Sequence, residues 1–340
     1  MRILRTSLAF LPFVLAGACA PAASSVPASG ALGAPTATTH DAPATGHFAA
    51  HFSVTAGELP EGLALAANTA YVGFAPTSRV VRVDLTTGVA ASFGQLPAPV
   101  SGKGFMTGLA RARSGDLYAG LASFVPEVQA GVYRIGKDGG SATLFSSDAM
   151  LPFPNALAFD DDGSLWVTDS GTGSLFHVDV AGHAQRWATG DLLTGKKHAC
   201  GPGLGPEFAI GANGLVVEHD AIYVVNTDKA ILVKIPRESA GNAGEPSIVV
   251  GPDCENLGGA DGLARTPDGS FVVALNRQDK LVKLTPSGNV AVIAKGPPLD
   301  FPASLAFLDA DLYVTNFALY RASAGQAAAP GLLKLSSSNR

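Results

Sequence analysis

The chain has 340 residues with 47% hydrophobic content, enough to bury one large core or two ordinary ones, which excludes disorder throughout. Gly (40) and Pro (23) are abundant and charged residues make up only 15%, so the class is all-β, with many short strands joined by turns. A formal net charge of -5 with no Lys/Arg run excludes nucleic acid as a partner, because phosphate neutralisation needs clustered cations.

The first residues, MRILR, form a charged n-region, and TSLAFLPFVLAGA is an apolar stretch too short and too Pro-broken to span a bilayer. Residues 1–18 therefore read as an export signal. Cys19 in LAGAC has two readings: the lipid-bearing cysteine of a lipobox, although Ala16 stands where Leu is usual, or a bystander beside cleavage after Ala18 or Ala20. Residues 19–46 are an Ala/Pro/Ser/Thr-rich linker that cannot bury enough apolar surface to order itself. The expected location is outside the cytoplasm: periplasmic, anchored to the outer membrane as a lipoprotein, or secreted. Membrane contact is expected only through a lipid on Cys19. Cys200 and Cys254 sit in the Gly/Pro-rich loops HACGPG and GPDCENLGG; they either pair in an oxidising compartment or stay as two buried thiols.

From residue 47 onward one unit recurs. Its copies open PEGLALAANTAYVGF at 60, MTGLARARSGDLYAGL at 106, PNALAFDDDGSLWVTD at 154, ANGLVVEHDAIYVVN at 212, ADGLARTPDGSFVVAL at 260 and PASLAFLDADLYVTN at 302. Each reads as a small apolar strand, a tight turn and a second strand. Third strands follow, from RVVRVDL (79–85) to GLLKLS (331–336), and fourth strands such as AASFGQ, ATLFSS, AQRWAT, PSIVVG and VAVIAK. The sixth copy runs out after its third strand. HFAAHFSV (47–54) has the missing fourth-strand pattern, so the two ends are expected to share one blade of a six-bladed β-propeller spanning 47–340.

First strands line the channel of a propeller, so the second residue of each copy belongs to one ring: Glu61, Thr107, Asn155, Asn213, Asp261 and Ala303. Glu61, Asn155, Asn213 and Asp261 offer only oxygen donors. Two carboxylates and two amides suit a hard cation, Ca²⁺ foremost, with Mg²⁺, Mn²⁺ or Zn²⁺ as alternatives, and leave coordination positions for water or substrate. Taken singly, each Asn or Asp serves as readily as a turn cap. Four in register, one of them a Glu, favour the metal site. Gly262 is expected to leave room beside Asp261.

This order of Glu, Asn, Asn and Asp, carried by PEG, PNA, ANG and ADG, resembles that of the SMP-30/gluconolactonase (regucalcin-like) family of six-bladed propellers. The resemblance covers the whole folded part. It implies that Glu61, Asn213 and Asp261 bind a divalent ion, that Asn155 is a further ligand or a substrate contact, and that Asp261 is the general base in hydrolysis of a lactone or related ester. The family's sugar-lactonases carry an Arg two residues before the first Asn, where this chain has Phe153. With Phe105, Phe208 and Phe301 also near the mouth, Phe153 and Phe105 are the expected contacts of a hydrophobic substrate. The related paraoxonases use an early His pair, and no histidine lies between His51 and His177.

Lys196, Lys197 and His198 fall in the insertion that makes the third interval, 155 to 213, the longest, and read as a solvated loop. Asp169 and Asn226 end second strands and read as structural hydrogen-bonding residues. No nucleophile elbow, zinc spacing or phosphate loop occurs. The chain is expected to act as a monomer. The competing reading is a non-catalytic propeller in which the ring holds a structural Ca²⁺ and the rim binds a ligand or an envelope protein.

Overall fold

A computed structural model describes residues 46–201, 208–239 and 241–336. Residues 1–18, Cys19 and the linker up to residue 45 lie outside the described residues. The inner strands are Pro60–Ala66, Gly104–Arg111, Pro154–Phe159, Ala212–Val217, Ala260–Arg265 and Pro302–Leu308. Each opens an antiparallel sheet that meanders outward, giving the six blades of a propeller. Closure follows the sequence pattern: Gly46–His51 pairs antiparallel with Gly331–Leu335 and completes blade 6. The strand stops at His51, and Val54–Ala56 forms a 3₁₀ turn rather than the end of a strand.

Blade 2 departs from expectation in one detail. Its outermost strand is Thr143–Ser146, while the preceding Gly140–Ser141 leaves the blade and pairs in parallel with Ala90–Gln95 of blade 1. That contact partly covers an outer edge that would otherwise offer unpaired backbone groups.

The second and third strands of the blades bury most residues on both faces, so alternate residues serve opposite neighbours. Val80 packs toward blade 2 with Leu109 and Leu117, whereas adjacent Val81 packs toward blade 6 with Tyr313 and Leu332. Six such apolar layers occur, one between each pair of neighbouring blades. At roughly 1.5–3 kcal/mol for each fully buried Val, Leu, Ile or Phe, these layers dominate the stability of the ring.

Near the axis the inner strands approach too closely for side chains. A Cβ on Gly62 would lie 2.5 Å from the Thr107 carbonyl oxygen, on Gly108 2.5 Å from that of Asn155, on Gly214 2.2 Å from that of Asp261, and on Gly262 2.3 Å from that of Ala303. This corrects the expectation for Gly262. Its missing side chain makes room for the backbone of blade 6, not for the Asp261 carboxylate.

Candidate functional site

All six ring residues are placed by the same irregularity. In every blade the ladder between first and second strands shifts register at the ring residue: between Pro60 and Gly62, Met106 and Leu109, Pro154 and Leu157, Ala212 and Leu215, Ala260 and Leu263, and Pro302 and Leu305. Such a bulge bends the strand and re-aims one side chain out of the sheet face. The freed backbone groups find partners in threonines. Thr168 Oγ1 accepts from the Ala156 N–H (3.0 Å) and donates to the Asn213 carbonyl of the next blade (2.8 Å). Thr315 Oγ1 does the same for the Ser304 N–H (2.9 Å) and the Glu61 carbonyl (2.9 Å).

The ring side chains are buried, and three have a partner at one equivalent position, the residue just after the second strand. Asn155 Nδ2 donates to Ser170 Oγ at 2.8 Å, Asn213 Nδ2 to Thr227 Oγ1 at 3.0 Å, and Asn276 Nδ2 to Asp261 Oδ2 at 2.9 Å. Ser170 and Thr227 pass the chain on to the Ala212 and Ala260 carbonyls, each at 2.7 Å. Sequence reasoning missed Ser170, Thr227 and Asn276. Their signal was a shared position after strands ending at 169, 226 and 275, which only the strand register aligns.

Thr107 turns away from this set and donates to the Pro154 carbonyl at 2.7 Å, a blade-to-blade role, and Ala303 joins an apolar cluster. Asp169 and Asn226 organise loops: Asp169 accepts from the Phe153 and Thr172 N–H groups, and Asn226 donates to the Leu192 and Thr194 carbonyls.

Electrostatically the ring brings two carboxyl groups together in a buried site. Burial, and then the charge of Asp261, hold the Glu61 carboxyl well above its ordinary range. Burial pushes Asp261 up to about 6, against hydrogen bonds from Asn276 and Asn213 and the charge of Arg277. Glu61 Oε2 and Asn276 Oδ1 are buried without a hydrogen-bond partner. No group of three or more His, Cys, Asp or Glu side chains that could hold a metal occurs among the described residues; the donors here are two carboxylates and two amides. Asn155 donates to the Ser170 hydroxyl and Asn213 to the Thr227 hydroxyl and to Asp261, so their carbonyl oxygens are not needed for these bonds. A buried, unpartnered carboxylate oxygen beside a second carboxylate and amide oxygens fits a hard divalent cation.

Two walls flank the ring. On the side of blades 2 and 3, Phe153 packs edge-on against Phe105 (5.2 Å between centroids) and Phe124 (5.8 Å), with Phe208 at 6.4 Å. The structure corrects the expected contacts here. Phe153 is 3% exposed and forms the base of the wall, Phe105 is half-buried, and Phe124 and Phe208, at 48% and 47%, present the accessible surface. Phe124 went unnoticed in the sequence. Phe301 is buried against Phe317 and Ala303 and is not exposed at the mouth.

On the side of blades 4 and 5, Cys200 and Cys254 form a disulfide with Cα atoms 5.3 Å apart. It ties the long insertion to the loop that precedes the blade 5 inner strand. A small pocket beneath it is lined by His198, Cys200, Thr227, Asp228, Gly259 and Arg277.

No protein-family model matches the sequence, and no curated protein is similar to it in sequence. Solved structures do share the fold. The chain is similar to the calcium-binding protein regucalcin from Agrobacterium tumefaciens at 18% identity and a TM-score of 0.60, covering 86% of this chain and 94% of that one. A gluconolactonase from Xanthomonas campestris superposes at 17% identity and a TM-score of 0.59, with 87% and 97% covered. The PQQ-bound aldose sugar dehydrogenase of Streptomyces coelicolor does so at 16% and 0.58, with 87% and 99% covered. These likenesses establish the propeller. Since one fold hosts such different chemistries, the activity has to be argued from the site.

Proposed function

We propose that this chain is a metal-dependent hydrolase of lactones or related esters with an apolar body, exported from the cytoplasm. The observation that carries the reading is the unpartnered, buried Glu61 Oε2 in a ring that also holds Asp261, Asn155 and Asn213. Glu61, Asn213 and Asp261, with Asn155 as a further ligand or substrate contact, would hold a divalent ion, Ca²⁺ best matching an all-oxygen donor set. Such an ion supplies Lewis acidity toward the substrate carbonyl and toward water.

The chain's own groups supply the rest. Asp261 is the general base: a carboxyl raised to about 6 by burial in the metal-free chain, it accepts a proton from the attacking water and returns it to the departing alkoxide. Water adds to the carbonyl carbon, the ring C–O bond breaks, and the product is a hydroxy acid. Asn276 holds Asp261 Oδ2 at 2.9 Å and fixes which carboxylate oxygen faces the reaction. Ser170 and Thr227 orient the two amides. Phe124 and Phe208 take the apolar body, backed by Phe153, which stands where the resembling lactonases carry an Arg.

The test is hydrolysis of aliphatic, aromatic and sugar lactones by the purified protein after chelation, with Ca²⁺, Mg²⁺, Mn²⁺ or Zn²⁺ restored singly. Turnover restored by one ion, greatest on apolar lactones, is the expected result. An ion that raises thermal stability without turnover on any lactone or ester would replace the hydrolase reading with a binding propeller. For export, the mature N-terminus is expected at or next to Cys19; mass spectrometry separates a lipidated Cys19 from plain cleavage.

A further inference from the structure

Arg277 follows Asn276, the residue that holds Asp261, and its guanidinium differs from those of the other half-buried arginines among the described residues. It makes no ion pair and no hydrogen bond, and its Nε is buried without a partner. Guanidinium groups in partly buried sites are otherwise bound to carboxylates or carbonyls, because leaving their N–H groups unmade is expensive. Of the half-buried arginines described, Arg79, Arg237, Arg265 and Arg321 all pair with acids, whereas Arg82, Arg111 and Arg186, which have no acid partner either, are exposed.

The position is built. Gly259, with φ +78°, passes under the side chain, and a Cβ there would lie 3.3 Å from Arg277 Cβ and Cγ and 3.0 Å from Asn276 Oδ1. The Cys200–Cys254 disulfide sets His198 and Cys200 as the opposite wall. Asp228 is the one acid in the lining; it feels the charge of Arg277 without hydrogen-bonding to it, and its carboxylate accepts from the Ile210 N–H at 2.8 Å and from the Lys196 backbone N–H. The pocket therefore presents a guanidinium without a hydrogen-bonded partner, near the carboxylates of Asp228 and Asp261, a balance that suits a planar monoanion better than a dianion.

We propose that Arg277, roofed by the disulfide-tethered loop around His198, is the recognition residue for a carboxylate borne by the substrate, whose apolar body lies against Phe124 and Phe208. The proposal takes the hydrolysed lactone or ester from the function argued above, and it names the substrate class as acid-bearing and apolar. Residues 198–201 of the insertion that reads as a solvated loop in the sequence thereby become a wall of the site.

The test is calorimetric titration of the full chelated protein with 3-phenylpropanoate and with its neutral isostere 3-phenylpropanamide. The anion is expected to bind at least tenfold more tightly, the ordinary worth of a charge-assisted pair. Arg277→Gln is expected to erase that preference and Arg277→Lys to keep part of it. Equal affinity for the two probes, binding of neither, or a preference that survives in Arg277→Gln overturns the proposal; the wild-type comparison needs no variant to fold. An anion preference without hydrolysis of any lactone keeps the subsite and rejects the hydrolase reading. Hydrolysis with no anion preference does the reverse.

Discussion

Replacing Asp261 by Asn should stabilise the metal-free protein while removing its capacity to hold an ion. The carboxyl group is raised from 3.8 to about 6 in the folded chain, mainly by burial. At about 1.36 kcal/mol per unit this is roughly 3 kcal/mol. The sign follows from proton binding: the folded state holds this proton more tightly than the unfolded state, so stability falls as pH rises from about 4 through about 6. Glu61 contributes in the same direction. Asp116, Asp160 and Asp268, all lowered by ion pairs and hydrogen bonds, work in the opposite sense, so the wild-type pH profile alone does not isolate the ring. The difference between Asp261→Asn and wild type does. Urea denaturation after chelation is expected to show the variant more stable by up to about 3 kcal/mol at pH 8 and by about half that at pH 5. Added Ca²⁺ should then raise the midpoint of wild type but not of the variant. A metal-free variant less stable than wild type at pH 8 would refute the reasoning, because the Asp261 carboxylate would then be satisfied by its protein partners.

Three further outcomes follow from packing. Gly262→Ala places a Cβ 2.3 Å from the Ala303 carbonyl oxygen and should cost about 1–3 kcal/mol or more in urea denaturation; an unchanged midpoint would mean that the inner strands are not in close contact. Phe153→Ala, at the base of the wall, should cost about 3–5 kcal/mol, whereas Phe124→Ala should stay within about 1 kcal/mol and instead raise KM selectively for apolar lactones. Cys200→Ser with Cys254→Ser opens a link spanning 54 residues and should lower stability by up to about 4 kcal/mol on loop-entropy grounds, with protease sensitivity appearing first at residues 196–201.

Much of the architecture is local information. Each blade is a short alternation of apolar residues and turns, repeated at nearly constant spacing, and a period can be read without knowing what packs on what. Closure by Gly46–His51 was equally legible, because the sixth copy lacks a strand and the first copy is preceded by one. The ring positions of Glu61, Asn155, Asn213 and Asp261 followed from the same alignment, since equivalent residues of a repeat occupy equivalent places.

What the chain does with those places depended on tertiary geometry. The bulge at each ring residue arises from strand pairing and leaves no local sequence mark, so the Ser170, Thr227 and Asn276 partners came into view only with the register. Gly262 could be assigned to the neighbouring blade only once the Ala303 carbonyl was seen against it. Phe153 and Phe124 are alike as sequence, and their difference in exposure is set by which ring is stacked on from several sides. Arg277 is one cation among many in the sequence; that its guanidinium lacks a partner depends on residues from three separate loops, and contacts between distant segments of the chain are what a one-dimensional pattern does not carry.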